Sequence, residues 1–486
     1  MGILSAITFI PLIGAIIILF FPKGKDNWVR ISSAVFSGIS FILSIWLYFN
    51  FNKATTDLQF VEKFSWIPSF GVTYFLGVDG LSIPLIVLTG LLSFISIIYS
   101  FNIKERVKEY FFFFLLLEVG MMGVFVALDF FLFYVFWEIM LVPMYFLIGI
   151  WGGPRKEYAA IKFFLYTLFG SVFMLLAILA LYFTSQPHTF NMIELAVNQP
   201  FSRIFQQIVF IAFFVGFAIK VPVFPFHTWL PDAHVEAPTA VSVILAGVLL
   251  KMGIYGIMRV NFQILPEAAV WFALPLAILA AINIVYGAFV AMAQQDLKKM
   301  IAYSSVNHMG YCLLGLASLT AIGFNGAVLQ MFNHGIITGA LFLLIGVIYE
   351  RAHTRDLNAF GGLGVKLPIY TGLITVATMA SLGLPGLAGF ISEFLCFLGA
   401  FSVFKVITII SIIGILVTAG YLLLMIQKVF LGPLNEKWKG LSDMNPRELV
   451  SVVPLIVIMI ILGVLPHLIL NLSDTKLLQM ANLFSK

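Results

Sequence analysis

The sequence predicts an all-α polytopic membrane protein with about fourteen transmembrane helices. Three observations carry that prediction. Of 486 residues, 61% are hydrophobic and only 10% charged, against roughly a quarter charged in an ordinary soluble domain. The apolar residues fall into fourteen separate runs of spanning length, and two of these runs hold clustered helix breakers, Pro222 with Pro225 and Gly383-Leu384-Pro385-Gly386. With 51 Phe and a mean hydropathy of +1.07, too little polar surface remains to cover a water-facing globule. A soluble fold, nucleic-acid binding, secretion and disorder are thereby excluded.

Lipid offers no partner to unpaired backbone groups, so each span needs about 20 mainly apolar residues closed into a helix. In chain order the expected segments are 2–21, 29–48, 81–101, 110–128, 130–150, 158–183, 204–229, 239–260, 266–291, 300–319, 324–349, 367–400, 406–430 and 449–470. The first has neither a basic start nor a small-residue cleavage site, so it reads as a retained helix and not a signal peptide. Asp129 falls in the short turn between segments 4 and 5. Segment 7 contains Lys220-Val221-Pro222-Val223-Phe224-Pro225 and segment 12 contains Gly383-Leu384-Pro385-Gly386, so both are expected to be discontinuous. Cys312 and Cys396 lie in apolar runs, where a thiol packs as a small hydrophobe; two cysteines make neither a zinc site nor a disulfide framework.

The net charge of +5, from 27 Lys+Arg and 22 Asp+Glu, matters less than its distribution. Alternate loops divide the basic residues 17 to 7, and Lys162, Lys220 and Lys251 fall inside segments. The basic-rich set includes Lys23, Arg155, Lys298 and Lys437; the sparse set includes Lys53, Lys476 and Lys486. Basic loops stay in the cytoplasm, so both termini are expected on the other side. Broken helices at matching places in two halves mark an inverted-repeat transporter with its site at the breaks. The offsets Lys220 to Glu393, Glu138 to His308 and Lys251 to Lys428 are 173, 170 and 177 residues. The expected organisation is therefore 1–105 as helices 1–3, 106–262 as a first five-helix repeat, 263–432 as a second, inverted repeat, and 433–486 with helix 14.

A charge at the bilayer centre costs about 2.5–3.5 kcal/mol even on the translocon scale, yet Glu118, Glu138, Lys220, Lys251 and Glu393 all lie in apolar segments, with His308 and His334 beside them. Carboxylate, amine, amine, imidazole, imidazole and carboxylate make the composition of a proton relay. A lysine relays protons only if it can deprotonate. Desolvation favours its neutral form and a nearby carboxylate its charged form, so shifting the carboxylate's influence switches it. Glu138 beside Lys220 is expected to form such a coupled pair, and backbone groups freed at the breaks can hold water between residues that do not touch.

Plainer readings stand beside these. Lys162, one turn into its helix, can snorkel to the basic side. Glu118 can neutralise a lysine on a neighbouring helix as a structural ion pair. His227 and His234, seven residues apart around Pro231, read as satisfied turn residues more readily than as metal ligands. For Glu138, Lys220 and Lys251 the plain reading is weak, because burying three charges without use is expensive.

The run 136–152, opening Phe136-Trp137-Glu138-Ile139-Met140-Leu141-Val142-Pro143, and the run 224–239, containing Phe226-His227-Thr228-Trp229-Leu230-Pro231-Asp232-Ala233-His234, resemble subunit M of NADH-quinone oxidoreductase, respiratory complex I. The resemblance continues through Tyr303-Ser304-Ser305-Val306-Asn307-His308 and Gly389-Phe390-Ile391-Ser392-Glu393-Phe394. It implies fourteen helices, two inverted repeats and one proton channel. It also implies roles: Glu138 as the modulating carboxylate, Lys220 as the broken-helix lysine, Lys251 as the central lysine, His308 and His334 continuing the axis, and Glu393 where sister subunits carry lysine. Glu118, Lys162 and His227 are secondary candidates. The resemblance further implies partner subunits L and N, the lateral helix of L, and FMN, iron–sulfur clusters and quinone bound elsewhere in the complex. This chain shows no nucleotide fingerprint and no cluster-binding cysteine pattern, so no cofactor is expected in it. A bacterial inner membrane is the implied location. Two other readings remain: a subunit of a multi-chain sodium/proton antiporter or membrane-bound hydrogenase of the same fold, and a standalone solute transporter.

Overall fold

The computed structural model describes residues 2–197 and 201–484. Among them, each of the fourteen segments is helical. Helices 1–4 are Ile3–Leu19, Asp26–Asn50, Ser82–Tyr99 and Val107–Val126, and helix 5 runs through Phe130–Ile139 and Leu141–Trp151. Helix 6 is Lys156–Thr184, and helix 7 comes in two parts, Arg203–Lys220 and Trp229–Glu236. Helix 8 is Thr239–Phe262; helices 9–11 are Pro266–Met292, Leu297–Ala317 and Ala321–Ala352. Helix 12 is also divided, into Pro368–Ser381 and Ala388–Val403, and helices 13 and 14 are Lys405–Phe430 and Pro446–Val464. Both expected breaks are present.

Burial sorts these helices. The central windows of helices 8 and 11 are wholly buried, whereas helices 2, 6, 13 and 14 bury only 33–39% of theirs and expose the rest. Leucine, isoleucine and valine point outward along those outer helices, as on Ile31, Ile42, Leu165, Leu176, Ile409 and Leu416, which is the pattern of a lipid-facing surface. Lys251 and His334 therefore sit on the two helices most removed from lipid and water.

Two elements lie outside the expected scheme. Gln59–Ile67 and Val72–Val78 pair as an antiparallel hairpin, because the run is rich in aromatic and β-branched residues and Gly71 supplies the left-handed turn at φ 66°. Helix 14 stops at Val464, before the expected 470, because Pro466 cannot continue it. A further helix, His467–Ala481, then buries Ile469, Leu472, Leu477 and Met480. Both elements close the same end of the bundle: Thr475 donates to the Lys53 carbonyl at 2.9 Å, and Lys476 lies 3.7 Å from Asp79. Asp79 also receives a two-pronged pair from Arg259 at 2.7 and 2.6 Å.

Loops alternate between two ends, as the charge count requires. Leu128 and Asp129 bond to the hairpin, which places turn 4–5 with the C-terminal helix. At the opposite, basic end, Leu297 bonds to the Arg355 carbonyl and Gly153 to the Glu236 carbonyl, and Arg351 pairs with Glu448 at 2.8 Å. Two basic residues counted with the loops depart from their expected places: Arg259 of the sparse set is buried within helix 8 on Asp79, and Lys298 is the other. Lys298 is not a loop charge; it sits in the first turn of helix 10, 5% exposed, with its Nζ on the Ala237 carbonyl at 2.5 Å. Lys486 lies outside the described residues.

Candidate proton-transfer axis

Helix 7 unwinds over 221–228, where proline lacks the donor a helix needs. Asparagine on helix 9 takes over: Asn283 Oδ1 accepts from Phe224 N–H at 2.8 Å, and its Nδ2 donates to the Pro222 carbonyl at 3.2 Å. Trp229 Nε1 ties the second half back to the Ile219 carbonyl at 2.9 Å. Lys220 is thus the last residue before a pinned break. Its buried Nζ has no hydrogen-bond partner and lies 5.2 Å from the Trp137 ring centroid and 5.8 Å from that of Phe163. Aromatic faces hold a cation without fixing a proton. Trp137 is itself oriented by its indole N–H on Ser171 Oγ at 3.2 Å.

Glu138 follows Trp137 and stands beyond ion-pair distance of Lys220, though its charge bears on that amine. The expected pair is therefore coupled across a gap and makes no contact. One carboxylate oxygen of Glu138 is buried without a partner. Helix 5 loosens at Met140, immediately after this carboxylate, since Pro143 cannot donate to the Ile139 carbonyl.

From Lys251 onward the contacts are continuous. Lys251 Nζ lies 2.5 Å from the Ala246 carbonyl and 2.6 Å from His334 Nδ1. π-helical stretches, Leu245–Leu249 and Ile257–Phe262, flank this lysine in helix 8; such turns re-aim side chains and recur at functional sites. With the ammonium donating, His334 accepts on Nδ1 and carries its proton on Nε2. The His308 ring lies 5.5 Å away, centroid to centroid. His308 Nε2 meets Ser381 Oγ at 3.2 Å, and its Nδ1 stands 3.3 Å from Glu393 Oε1. The second break is pinned as the first is: Asn333 Nδ2 donates to the Ala388 carbonyl at 2.6 Å. Gly383, at φ 80°, lies against Glu393; a Cβ there would stand 3.0 Å from Oε2, so glycine leaves the carboxylate room.

The structure thus brings Lys251, His334, His308 and Glu393 together, and keeps Glu138 and Lys220 as a separate pair at the first break. The secondary candidates go elsewhere. Lys162 does not simply snorkel: it pairs with Asp232 at 2.7 Å, both side chains 19% exposed. His227 lies in the break, where its ring packs among Phe224, Tyr286 and Tyr303, with the Pro225 backbone near it and within reach of the Lys162 charge. His234 has neither nitrogen paired. Glu118 forms no ion pair among the described residues; its carboxylate is fully buried and faces Ser37 on helix 2. Lys428, matched by offset to Lys251, is instead exposed at the end of helix 13 and touches Asn358 at 3.2 Å. Lys220 precedes its break whereas Glu393 follows its own, so equal offsets do not mark equal places.

Asn283, Asn333, Ser381 and His234 were not singled out as functional by the sequence reading. A lone asparagine in an otherwise apolar span, as in Ala281-Ile282-Asn283-Ile284, is the signal that was available.

Comparisons with known proteins give the family. Residues 127–431 match the family model described as NADH:quinone oxidoreductase/Mrp antiporter, TM. The chain is 45% identical to NADH-quinone oxidoreductase subunit M of Rickettsia prowazekii over 477 residues, 96% of each. It superposes on a chain of respiratory complex I from Thermus thermophilus with bound NADH at TM-score 0.91 and 29% identity, with all of both chains covered. The Mrp complex of Dietzia shares the fold, at TM-score 0.85 and 21% identity, over 100% of this chain and 98% of that one. A pinned broken helix at each of two sites, a buried titratable string between them and near-full-length similarity converge: this chain belongs to the subunit M family of NADH-quinone oxidoreductase, within the antiporter-like membrane proteins.

Proposed function

We propose that this chain is the proton-translocating membrane subunit of an NADH:quinone oxidoreductase, with Glu138, Lys220, Lys251, His334, His308 and Glu393 as its relay. The observation that carries the reading is the contact string from Lys251 Nζ through His334 and His308 to Glu393. Every member can take and release a proton, and Lys251 and His334 at its centre lie on the two helices whose spanning windows are wholly buried.

In this reading the redox chemistry, with FMN, iron–sulfur clusters and quinone, takes place in partner subunits. This chain turns energy received from them into proton movement. Glu138 sets the charge state of Lys220 through space. A proton leaving Lys220 reaches Lys251 across a gap filled by water at the break, and His334 and His308 pass it to Glu393. Subunits L and N, and the lateral helix of L, are the neighbours through which a change in one subunit's charge pairs is passed to the next. Helices 4–8 and 9–13 act as two inverted repeats, one per broken helix. The protein sits in the bacterial inner membrane with both termini on the non-cytoplasmic side.

Purification of the native chain from its membrane tests the assignment. Co-elution with flavin- and iron–sulfur-containing subunits, with NADH:quinone reductase activity, is the expected result. Recovery alone, or with other transporter chains and no flavin, overturns it.

A further inference from the structure

A cavity of about 320 Å³ opens at the basic end of the bundle, beneath the link between helices 7 and 8. Lys298, Glu236, Glu350, Arg355, Tyr99 and Asn102 line it, and its walls come from helices 3, 7, 8, 10 and 11. Lys298 and Glu236 are 5% and 6% exposed. The charges of Arg355, Asp296 and Glu236 all bear on Lys298, so the floor of the cavity is a group of interacting titratable residues and not a plain surface hollow.

His234 directly precedes Val235 and Glu236, which line this cavity. It is 0% exposed, neither ring nitrogen has a hydrogen-bond partner, and its ring stacks on Phe342 of helix 11 at 4.6 Å and 8°. A fully buried imidazole without a partner on either nitrogen is costly. The cations whose charges bear on it are Lys298, toward the cavity, and Lys251, on the relay; His334 is the relay imidazole that senses it in turn. His234 therefore feels both a cation that lines the vestibule on the cytoplasmic side and the central lysine. Lys220, by contrast, makes no hydrogen bond toward Lys251.

We propose that the cavity under the helix 7–8 link is a site of proton uptake from the cytoplasmic face, and that His234 delivers those protons to Lys251 without passing through Lys220. The inference rests on the proton-pump reading above and adds a second way into its relay. Protons collect on the Lys298–Glu236 group. The imidazole takes one on the nitrogen nearer the cavity, releases the proton of the other nitrogen to a neutral Lys251 amine, and regains its starting tautomer before the next cycle. Water bridges the steps that are not in contact.

The test uses the assembled complex in inverted membrane vesicles, whose cytoplasmic face is outward, with assembly checked on a native gel. His234→Ala leaves a hole against Phe342; His234→Phe fills it with a ring that stacks but cannot titrate. Both variants should lose NADH-driven proton pumping by about tenfold or more, as loss of a proton-transfer group does. Added imidazole should restore His234→Ala and not His234→Phe. Native-like pumping in either variant overturns the proposal. So does a loss in His234→Ala that imidazole does not relieve, which marks a purely structural role. Lys251→Ala is the control: if it also pumps normally the relay reading itself has failed, whereas normal pumping by the His234 variants beside an inactive Lys251→Ala defeats the uptake route alone.

Discussion

Lys251 Nζ and His334 Nδ1 lie 2.6 Å apart on the two most buried helices of the bundle. Neither residue has water-facing surface, and the lysine's other hydrogen bond is to the Ala246 carbonyl of its own helix. In the proposed relay, His334 is therefore the side chain placed to receive a proton leaving Lys251. His334→Ala should cut proton pumping by about tenfold or more while the complex assembles. His334→Gln, which retains hydrogen bonding but cannot carry the proton, should be as poor. Pumping rates in vesicles decide this, and a Gln variant near the native rate would leave His334 as a packing residue.

Glu393 closes the string against His308 at 3.3 Å. A group that only holds and releases a proton can be exchanged for another that titrates in range. Glu393→Gln should impair pumping strongly, and Glu393→Lys should keep more activity than Gln. Protons pumped per electron pair, at matched assembly, measure both; a Lys variant worse than Gln would mean that a fixed negative charge beside His308 is required.

Topology gives a separate expectation. The 17-to-7 division of basic residues places Lys437 on the cytoplasmic side. A cysteine introduced beside it should react only with reagents admitted to that side. Labelling from the opposite face would overturn the helix count.

The buried pair of Asp79 and Arg259 fastens the far end. Burial pushes the Asp79 carboxyl up, but the Arg259 guanidinium and Lys476 outweigh it and hold it down at about 2. A carboxyl held below its unfolded value contributes stability that is present above about pH 4 and lost as pH falls toward 2. The C-terminal helix, tied to Asp79 through Lys476, should therefore become protease-sensitive in that window. Asp79→Asn leaves Arg259 buried without its partner, at a cost of about 3–5 kcal/mol, and should show the same sensitivity at neutral pH. Equal digestion of variant and native chains would show that the pair does not hold this end.

The spans and both breaks were legible because lipid imposes a length and because proline and glycine cannot hide inside a helix. The hairpin was not, since two strands of seven and nine residues leave little pattern beside fourteen apolar runs. Among the site residues, Lys251, His308, His334 and Glu393 were readable as charges and imidazoles in apolar surroundings, and they come together. Lys162 and Lys298 show where that logic ends. Sequence reveals that a cation lies near a boundary, but whether it reaches water or turns to Asp232 or the Ala237 carbonyl depends on neighbours distant in the chain. Equal offsets between halves misled at Lys428 for a related reason: spacing along the chain does not fix depth in the membrane.

The central claim is that Glu138 governs Lys220 through space and that both drive the relay. Proton pumping per electron pair should be measured for Lys220→Ala and Glu138→Ala in vesicles whose complexes are shown on native gels to be assembled. The account predicts loss of most coupled pumping, by about tenfold or more, together with a fall in quinone reductase rate for both variants. An assembled Lys220→Ala complex that pumps at a near-native rate would contradict it.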